Sequence, residues 1–491
     1  MINPWYFQYN IPVAFSRCET AIPSFYKFRT TLKGNLPLFS KKDSIEYGKN
    51  EYLIFPYFND YNDYILKDVP AFIDEPYINS RINYLARLVF ELNTFTTIGA
   101  KFEFNTSWEE ISNDLLENKY FGQQIDASYF LEKHLKKLIK EIEKENKKEK
   151  LIAIYDFVRT TMKWNEECSK YASQDLKRSF KERTGNSADI NLMLLSMLKK
   201  AEFNVKPILL STRENGILYP NIPSEGSLNY TICVVLLDDE KIFLDATEKY
   251  CPIGVLPERC LNGTAKVINK FYPSDIEIIA NKKSNQTAQV QLKIDSSGTI
   301  SGNIIQSFEN NIAIDIRNKL KNGKFEDYIE EVKKNYSDIE IENIEINNLD
   351  SIYSNLTIKY DVNILGETTL GGDLLYINPM LGLGTNENPF KLDDRNYPVD
   401  FAYPFSEKYL FSITIPDNYT VDEIPETAIV KLPDSKGNFK YSVNKIGNTL
   451  YIVSILNINQ AVFSNIEYFE LKELYSAIVS KQAEMIVLKK I

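Results

Sequence analysis

The residues Arg183-Thr184-Gly185-Asn186-Ser187-Ala188-Asp189 run directly into the apolar stretch Ile190–Leu198. A glycine turn that feeds a helix places its entry residue, Ser187, among the unsatisfied N–H groups and partial positive charge of the first turn. A cysteine there would have its thiolate stabilised, which is how many cysteine nucleophiles become reactive. This chain has a serine. Ser187 also reads as a helix N-cap, with Asp189 favoured in the first turn by the dipole.

Strands follow the helix at Val205–Thr212, Leu228–Leu237 and Lys241–Thr247, the last two separated by the hairpin-sized break Asp238-Asp239. A two-residue loop pairs Leu237 with Glu240 and therefore Tyr230 with Thr247. Tyr230 and Asp245 then share one face as diagonal neighbours about 7–8 Å apart. A phenol donating to that carboxylate, with Ser187 nearby, makes a satisfied polar cluster. Structural bonding and ligand holding both remain open for it.

Upstream, the period is helical from Trp108 to about Lys200. Leu131, Leu135, Leu138 and Ile142 form one stripe, and Leu151, Ile154, Tyr155, Val158 and Met162 a second. Lys136–Lys150 mixes both signs and reads as a solvated face joining two helices. Residues 1 to about 100 are β-rich and aromatic, notably Glu51–Leu66 with Tyr52, Phe55, Tyr57, Phe58, Tyr61 and Tyr64. That cluster reads as packed core, with a sugar platform at Tyr57 and Tyr61 as the other possibility. From about Gln286 onward strands dominate, with one helix near Phe325–Asn335 and a last helical piece near Leu471–Ser480.

The 491 residues predict about three domains at roughly 100–200 residues each. With 44% hydrophobic and 25% charged residues the chain has the balance of a packed globular protein. Its 57 Lys+Arg against 67 Asp+Glu leave a net charge of −10, which argues against a nucleic-acid partner. There is one histidine, His134, on the edge of a helical stripe beside Lys133, Lys136 and Lys137, where a structural or solvated role is expected. Imidazole chemistry and His-rich metal sites are thereby almost removed. Five cysteines show no CxxC spacing. Buried thiols are expected, with a Cys251–Cys260 bridge as the alternative in an oxidising compartment. No phosphate loop or calcium loop appears, no cofactor or metal is called for, and no run is long enough for a transmembrane segment.

Gly185-x-Ser187-x-Asp189 at the helix entry resembles the Gly-x-Cys-x-Asp nucleophile motif of the transglutaminase-like superfamily. Tyr230, 43 residues on, stands where that family has its histidine, and Asp245, 15 further, matches the aspartate of its Leu-Asp-Pro-Thr strand. Lys163-Trp164-Asn165 resembles the segment before the nucleophile helix in exported bacterial members. Asn388-Pro389-Phe390-Lys391, Asp394-Arg395-x-Tyr397-Pro398-Val399 and the ending Ser480-Lys481-Gln482-x₄-Val487-Leu488-Lys489-Lys490 resemble the β-rich C-terminal domain of unknown function in those members.

The resemblance implies a multidomain α+β protein: a partial N-terminal β-sandwich (1–104), a transglutaminase-like, papain-like α+β core (105–278) and a β-rich C-terminal domain (279–491). It also implies a degenerate triad, with Ser187 for cysteine, Tyr230 for histidine and Asp245 retained. A serine is a weak nucleophile without a strong base, and a phenol of pKa about 10 is protonated at pH 7. The expected function is that of a pseudoenzyme, a binding or scaffold module of the bacterial cell envelope. Ser187, Tyr230, Asp245 and Trp164 are its candidate binding residues, for an envelope polysaccharide, peptide or protein. The alternative is a serine-based hydrolase or acyltransferase using Ser187 with Tyr230 and Asp245. Family resemblance implies a periplasmic or cell-surface location. Because Met1–Tyr6 lacks a signal sequence and reads as mid-domain, an N-terminally shortened chain is expected.

Overall fold

The computed structural model describes the chain apart from residues 1, 49–56, 105–106, 127, 141, 143–145, 324, 335 and 337. Tyr52, Phe55 and part of the Lys136–Lys150 run lie outside the described residues. The architecture is mixed α+β with strand predominating. The chain divides into two compact units, Met1–Thr247 with Arg259–Ile278, and Glu248–Glu258 with Ile279–Ile491.

The first unit opens with β1 (Trp5–Tyr6), β2 (Val13–Pro23), β3 (Tyr26–Lys33), β4 (Ser40–Gly48), β5 (Tyr57–Val69), β6 (Arg87–Thr97) and β7 (Ala100–Glu103). They form two antiparallel sheets, β2-β5-β4 and β1-β6-β3, with β7 also on β6. Phe7, just after β1, and Leu88 and Phe90 of β6 cluster with Cys18, Tyr64 and Leu66 from the other sheet. Tyr57 is also buried, edge-on to Phe25 at 5.5 Å. A buried ring cannot stack on a sugar, so Tyr57 does not serve the platform that its sequence allowed.

Helices α1 (Trp108–Glu117), α2 (Gly122–Asp126), α3 (Glu132–Ile139) and α4 (Lys147–Thr161) follow. Of the first stripe, Leu131 and Leu135 are buried while Leu138 and Ile142 are only partly so, because α3 ends at Ile139; the second stripe is buried at Leu151, Ile154, Tyr155, Val158 and Met162. His134 is exposed on α3, its ring 5.1 Å from that of Phe180. A short parallel pair, β8 (Lys163–Trp164) with β9 (Thr184–Gly185), brackets α5 (Leu176–Glu182) and leads into α6 (Ser187–Lys200). From Ser187 to Leu198 every residue of α6 is buried, the mark of a helix surrounded on all sides. It packs on α4 and on β10 (Asn204–Leu210) and β11 (Tyr230–Leu237). These two belong to an antiparallel sheet of order β12-β11-β10-β13-β14, completed by β12 (Glu240–Leu244), β13 (Gly263–Val267) and β14 (Ser274–Ile278).

The second unit contains β15 (Ser284–Ile294), β16 (Ile300–Phe308), α7 (Asn310–Asn322), α8 (Phe325–Lys333), β17 (Asp338–Asn347), β18 (Leu356–Leu365), β19 (Thr368–Gly371) and β20 (Leu374–Ile377). It continues with β21 (Val399–Asp400), β22 (Phe405–Thr414), β23 (Tyr419–Glu423), β24 (Ala428–Lys431), β25 (Gly437–Ile446), β26 (Thr449–Ile458), β27 (Val462–Phe463), α9 (Tyr468–Gln482) and β28 (Ile486–Lys490). An eight-stranded sheet runs β17-β18-β16-β15-β22-β26-β25-β24, and a four-stranded one β19-β20-β28-β23. Within the large sheet β15 and β22 pair in parallel. Both sheets and α9 share a core that includes Leu292, Ile358, Phe411, Leu474 and Leu488.

Helix α7 was not expected. Ile312, Ile314 and Ile316 alternate as a strand would, yet the buried positions among the described residues are Asn311, Ala313, Ile314, Arg317 and Leu320, with Asn311, Ile314, Arg317 and Leu320 at helical spacing. Among the described residues no helix is long and apolar enough to cross a membrane.

Candidate functional site

The entry to α6 explains why glycine, serine and aspartate recur at alternate positions. The N-cap is Asn186 and not Ser187: Asn186 Oδ1 accepts from Asp189 N at 2.9 Å, and Asp189 Oδ2 accepts from Asn186 N at 2.9 Å. This reciprocal box holds because Asn186 keeps extended backbone at ψ −179° while Ser187 is already helical. Asp189, fully buried, also accepts from Ser173 Oγ at 2.6 Å and Ser179 Oγ at 3.2 Å, tying the preceding loop and α5 to the helix. A Cβ on Gly185 would stand 2.6 Å from Asp189 Cβ, so only glycine admits that aspartate.

Ser187 is buried, and its hydroxyl is engaged on both sides by one residue. It donates to Ser169 O at 2.9 Å and accepts from Ser169 N at 2.8 Å. The backbone N–H of Ser187 donates to Glu167 O at 3.1 Å. The indole Nε1–H of Trp164 donates to the same carbonyl at 3.0 Å. Two N–H donors thus converge on one oxygen at a helix N-terminus, the geometry that stabilises an oxyanion, and the oxygen there belongs to the chain's own segment.

Across from α6, the hairpin adopts the expected register, with Leu237 opposite Glu240 and Cys233 opposite Leu244. Asp238 and Asp239 have φ of 50° and 63°, the left-handed pair that a two-residue turn of matching twist needs. Tyr230 Oη donates to Asp245 Oδ2 at 2.9 Å and lies 2.8 Å from Thr247 Oγ1. Asp245 Oδ1 accepts from Asn191 Nδ2 at 2.9 Å, Thr247 N at 3.0 Å and Thr247 Oγ1 at 2.7 Å. Both Tyr230 and Asp245 are fully buried. Burial, with the Asp245 charge adding to it, pushes the Tyr230 phenol well above its ordinary value. It is therefore a committed hydrogen-bond donor.

Arg259 closes the cluster from outside. Its Nε donates to Tyr230 Oη at 3.2 Å and an Nη to Thr247 Oγ1 at 2.7 Å, with Asp245 Oδ2 3.7 Å away. Burial pulls the guanidinium down, but Tyr230 and Asp245 outweigh it and hold Arg259 above its ordinary value. The guanidinium also sits 4.2 Å from the Trp164 ring centroid. Trp164 and Arg259 are the partly exposed members, over the buried Tyr230 and Asp245.

The structure thus joins Tyr230, Asp245 and, through Arg259, Trp164. Ser187 makes no hydrogen bond to Tyr230 or Asp245. Asn191, four residues after it on α6, bridges instead, bonding Thr231 O, Asp245 Oδ1 and Ala246 N.

Residues 373–488 match a family described as "Domain of Unknown Function with solved-structure structure (DUF3858)". No curated protein matches the chain. Among solved structures it is similar to a proposed protease of Parabacteroides distasonis ATCC 8503, with 12% identity and a TM-score of 0.55, over 99% of this chain and 74% of that one. It is also matched to a proposed cysteine protease of Cytophaga hutchinsonii, with 12% identity and a TM-score of 0.22, over 57% of this chain and 94% of that one. The first likeness is one of fold, spanning nearly the whole chain, and the family match shows a domain of unknown function over residues 373–488.

Asn191, Glu167, Ser169 and Arg259 were missed by sequence reasoning. Asn191 carried a signal: a lone amide inside the apolar run Ile190–Leu198, on the face of Ser187. Arg259 carried none, because only the return of the chain after Glu258 brings it to Tyr230. Cys251 and Cys260 are free, buried cysteines. Cys251 Sγ is 2.9 Å from Val255 O, and Cys260 Sγ is 3.5 Å from Asp245 Oδ2.

Proposed function

We propose that the chain is a non-catalytic protein built on a transglutaminase-like, papain-like fold, acting as a binding or scaffold module of the bacterial cell envelope. On this reading residues 1–104 are a partial β-sandwich domain, 105–278 the transglutaminase-like domain and 279–491 the β-rich C-terminal domain. The observation that carries it is the Glu167 carbonyl. It takes both donors that a reaction would need for its oxyanion, while Ser169 takes the Ser187 hydroxyl. A protonated Tyr230 bonded to Asp245 cannot accept a proton from Ser187, which speaks against the serine hydrolase or acyltransferase. Trp164, with Arg259 beneath it, is the face that a peptide or polysaccharide meets first. Ser187, Tyr230 and Asp245 hold that face from below.

A fluorophosphonate probe with peptide mapping tests the reading. Ser187 is expected to remain unlabelled in the folded chain. Labelling at Ser187, together with amide hydrolysis that disappears in Ser187→Ala, would overturn it in favour of the serine enzyme.

A further inference from the structure

The first sheet handles its basic residues in two different ways. On the β3–β6 pair, Arg29 stands opposite Glu91 and ion-pairs with it at 2.5 Å. Lys33 stands opposite Arg87 in the same register, cation against cation. Like charges directly across a strand pair repel and cost the sheet stability. Neither makes an ion pair among the described residues. Lys33 Nζ lies 3.7 Å from the Tyr219 ring centroid, and Arg87 Nε donates to Ile82 O at 3.1 Å.

Both side chains are half-buried and line a cavity of about 330 Å³ between this sheet and the segment Ser211–Ser227. Ile217, Tyr219 and Ile222 supply an apolar wall, and Glu91, the one carboxylate in the described lining, is already bonded to Arg29 and Ser224 and only partly offsets the two cations, acting on Lys33. Burial pulls both groups below their ordinary values, and the Arg87 charge adds to the effect at Lys33. Two desolvated cations of like sign are stabilised when an anion enters between them.

We propose that this cavity is an anion-binding site. It takes the carboxylate or phosphate of a small organic molecule between Lys33 and Arg87, with the molecule's apolar body against Ile217, Tyr219 and Ile222.

Calorimetric titration of the full chain at low salt with benzoate, phenyl phosphate and the uncharged benzamide tests it. At least one of the two anions should bind tenfold or more tighter than benzamide, and the tighter of them identifies the source as a carboxylate or a phosphate. Lys33→Gln and Arg87→Gln should each weaken that anion at least tenfold. Each variant, freed of the repulsion, should also melt no lower than the parent without ligand. Equal binding of all three probes, no binding of either anion, or anion binding unchanged in the double variant would overturn the proposal.

Discussion

Tyr230 shows how one hydroxyl can hold a buried carboxylate. Removing it in Tyr230→Phe leaves Asp245 Oδ2 without its 2.9 Å donor in a fully buried setting. The expected cost is about 1–3 kcal/mol of unfolding free energy, read from urea denaturation. The pH dependence has a definite sign. The folded-state phenol is raised above its ordinary value, so its contribution is complete below about pH 10 and falls as the unfolded-state phenol ionises at higher pH. The gap between parent and variant should therefore narrow above pH 10, and a gap that widens there contradicts the assignment. Of this residue-level chemistry, the Tyr230–Asp245 bond was legible in the sequence. A two-residue loop and the pleat place both on one face. The partner of Ser187 was not legible: Ser169 lies 18 residues back in an irregular loop, and no period connects them.

At the scale of the element, the α6 entry and the α9 entry use the same device with different consequences. At α6 the cap box leaves no space beside Gly185. Gly185→Ala should cost about 1–3 kcal/mol by forcing Asp189 or β9 to move, as measured by thermal or urea unfolding. Before α9, Glu467 accepts from Ser464 N at 2.8 Å, Ser464 Oγ at 2.7 Å and Lys436 Nζ at 2.6 Å. Partial burial opposes ionisation, but these donors outweigh it and hold the carboxyl down at about 2. Its stabilisation is then complete above the ordinary carboxylate range and is lost as the pH falls through about 2. Glu467→Gln should destabilise the chain by about 1 kcal/mol at pH 7, with the difference closing towards pH 2 in parallel unfolding curves. Elements with one clear period, such as α4, α6 and the β11–β12 hairpin, could be read from the sequence. Helix α7 could not, because alternating isoleucines satisfy a strand as well as a helix until the neighbouring sheet decides which face is buried.

For the whole molecule, the short segment Glu248–Glu258 matters more than its length suggests. The chain leaves the first unit after Thr247, contributes Cys251 and Val255 to the core of the second beside Ile314, and returns at Arg259. Ile314→Ala should cost about 2–5 kcal/mol, measured by denaturant unfolding, because it empties the place against which both residues pack. If the variant is as stable as the parent, the segment is not part of that core. The same excursion delivers Arg259 to Tyr230, so the outer wall of the site depends on a return that no local pattern announces.

Composition, periodicity and turn chemistry were enough to establish a mixed, strand-rich chain with a buried helix behind Gly185. They also set the hairpin register that brings Tyr230 to Asp245 and excluded any arrangement that needs several histidines. These features follow from backbone geometry, which repeats along the chain. Only the tertiary structure decided that Glu167 takes the donors of Trp164 and Ser187, that Arg259 covers the cluster, and that Lys33 and Arg87 face one cavity. Those pairings join segments far apart in sequence, and packing alone selects which donor meets which acceptor.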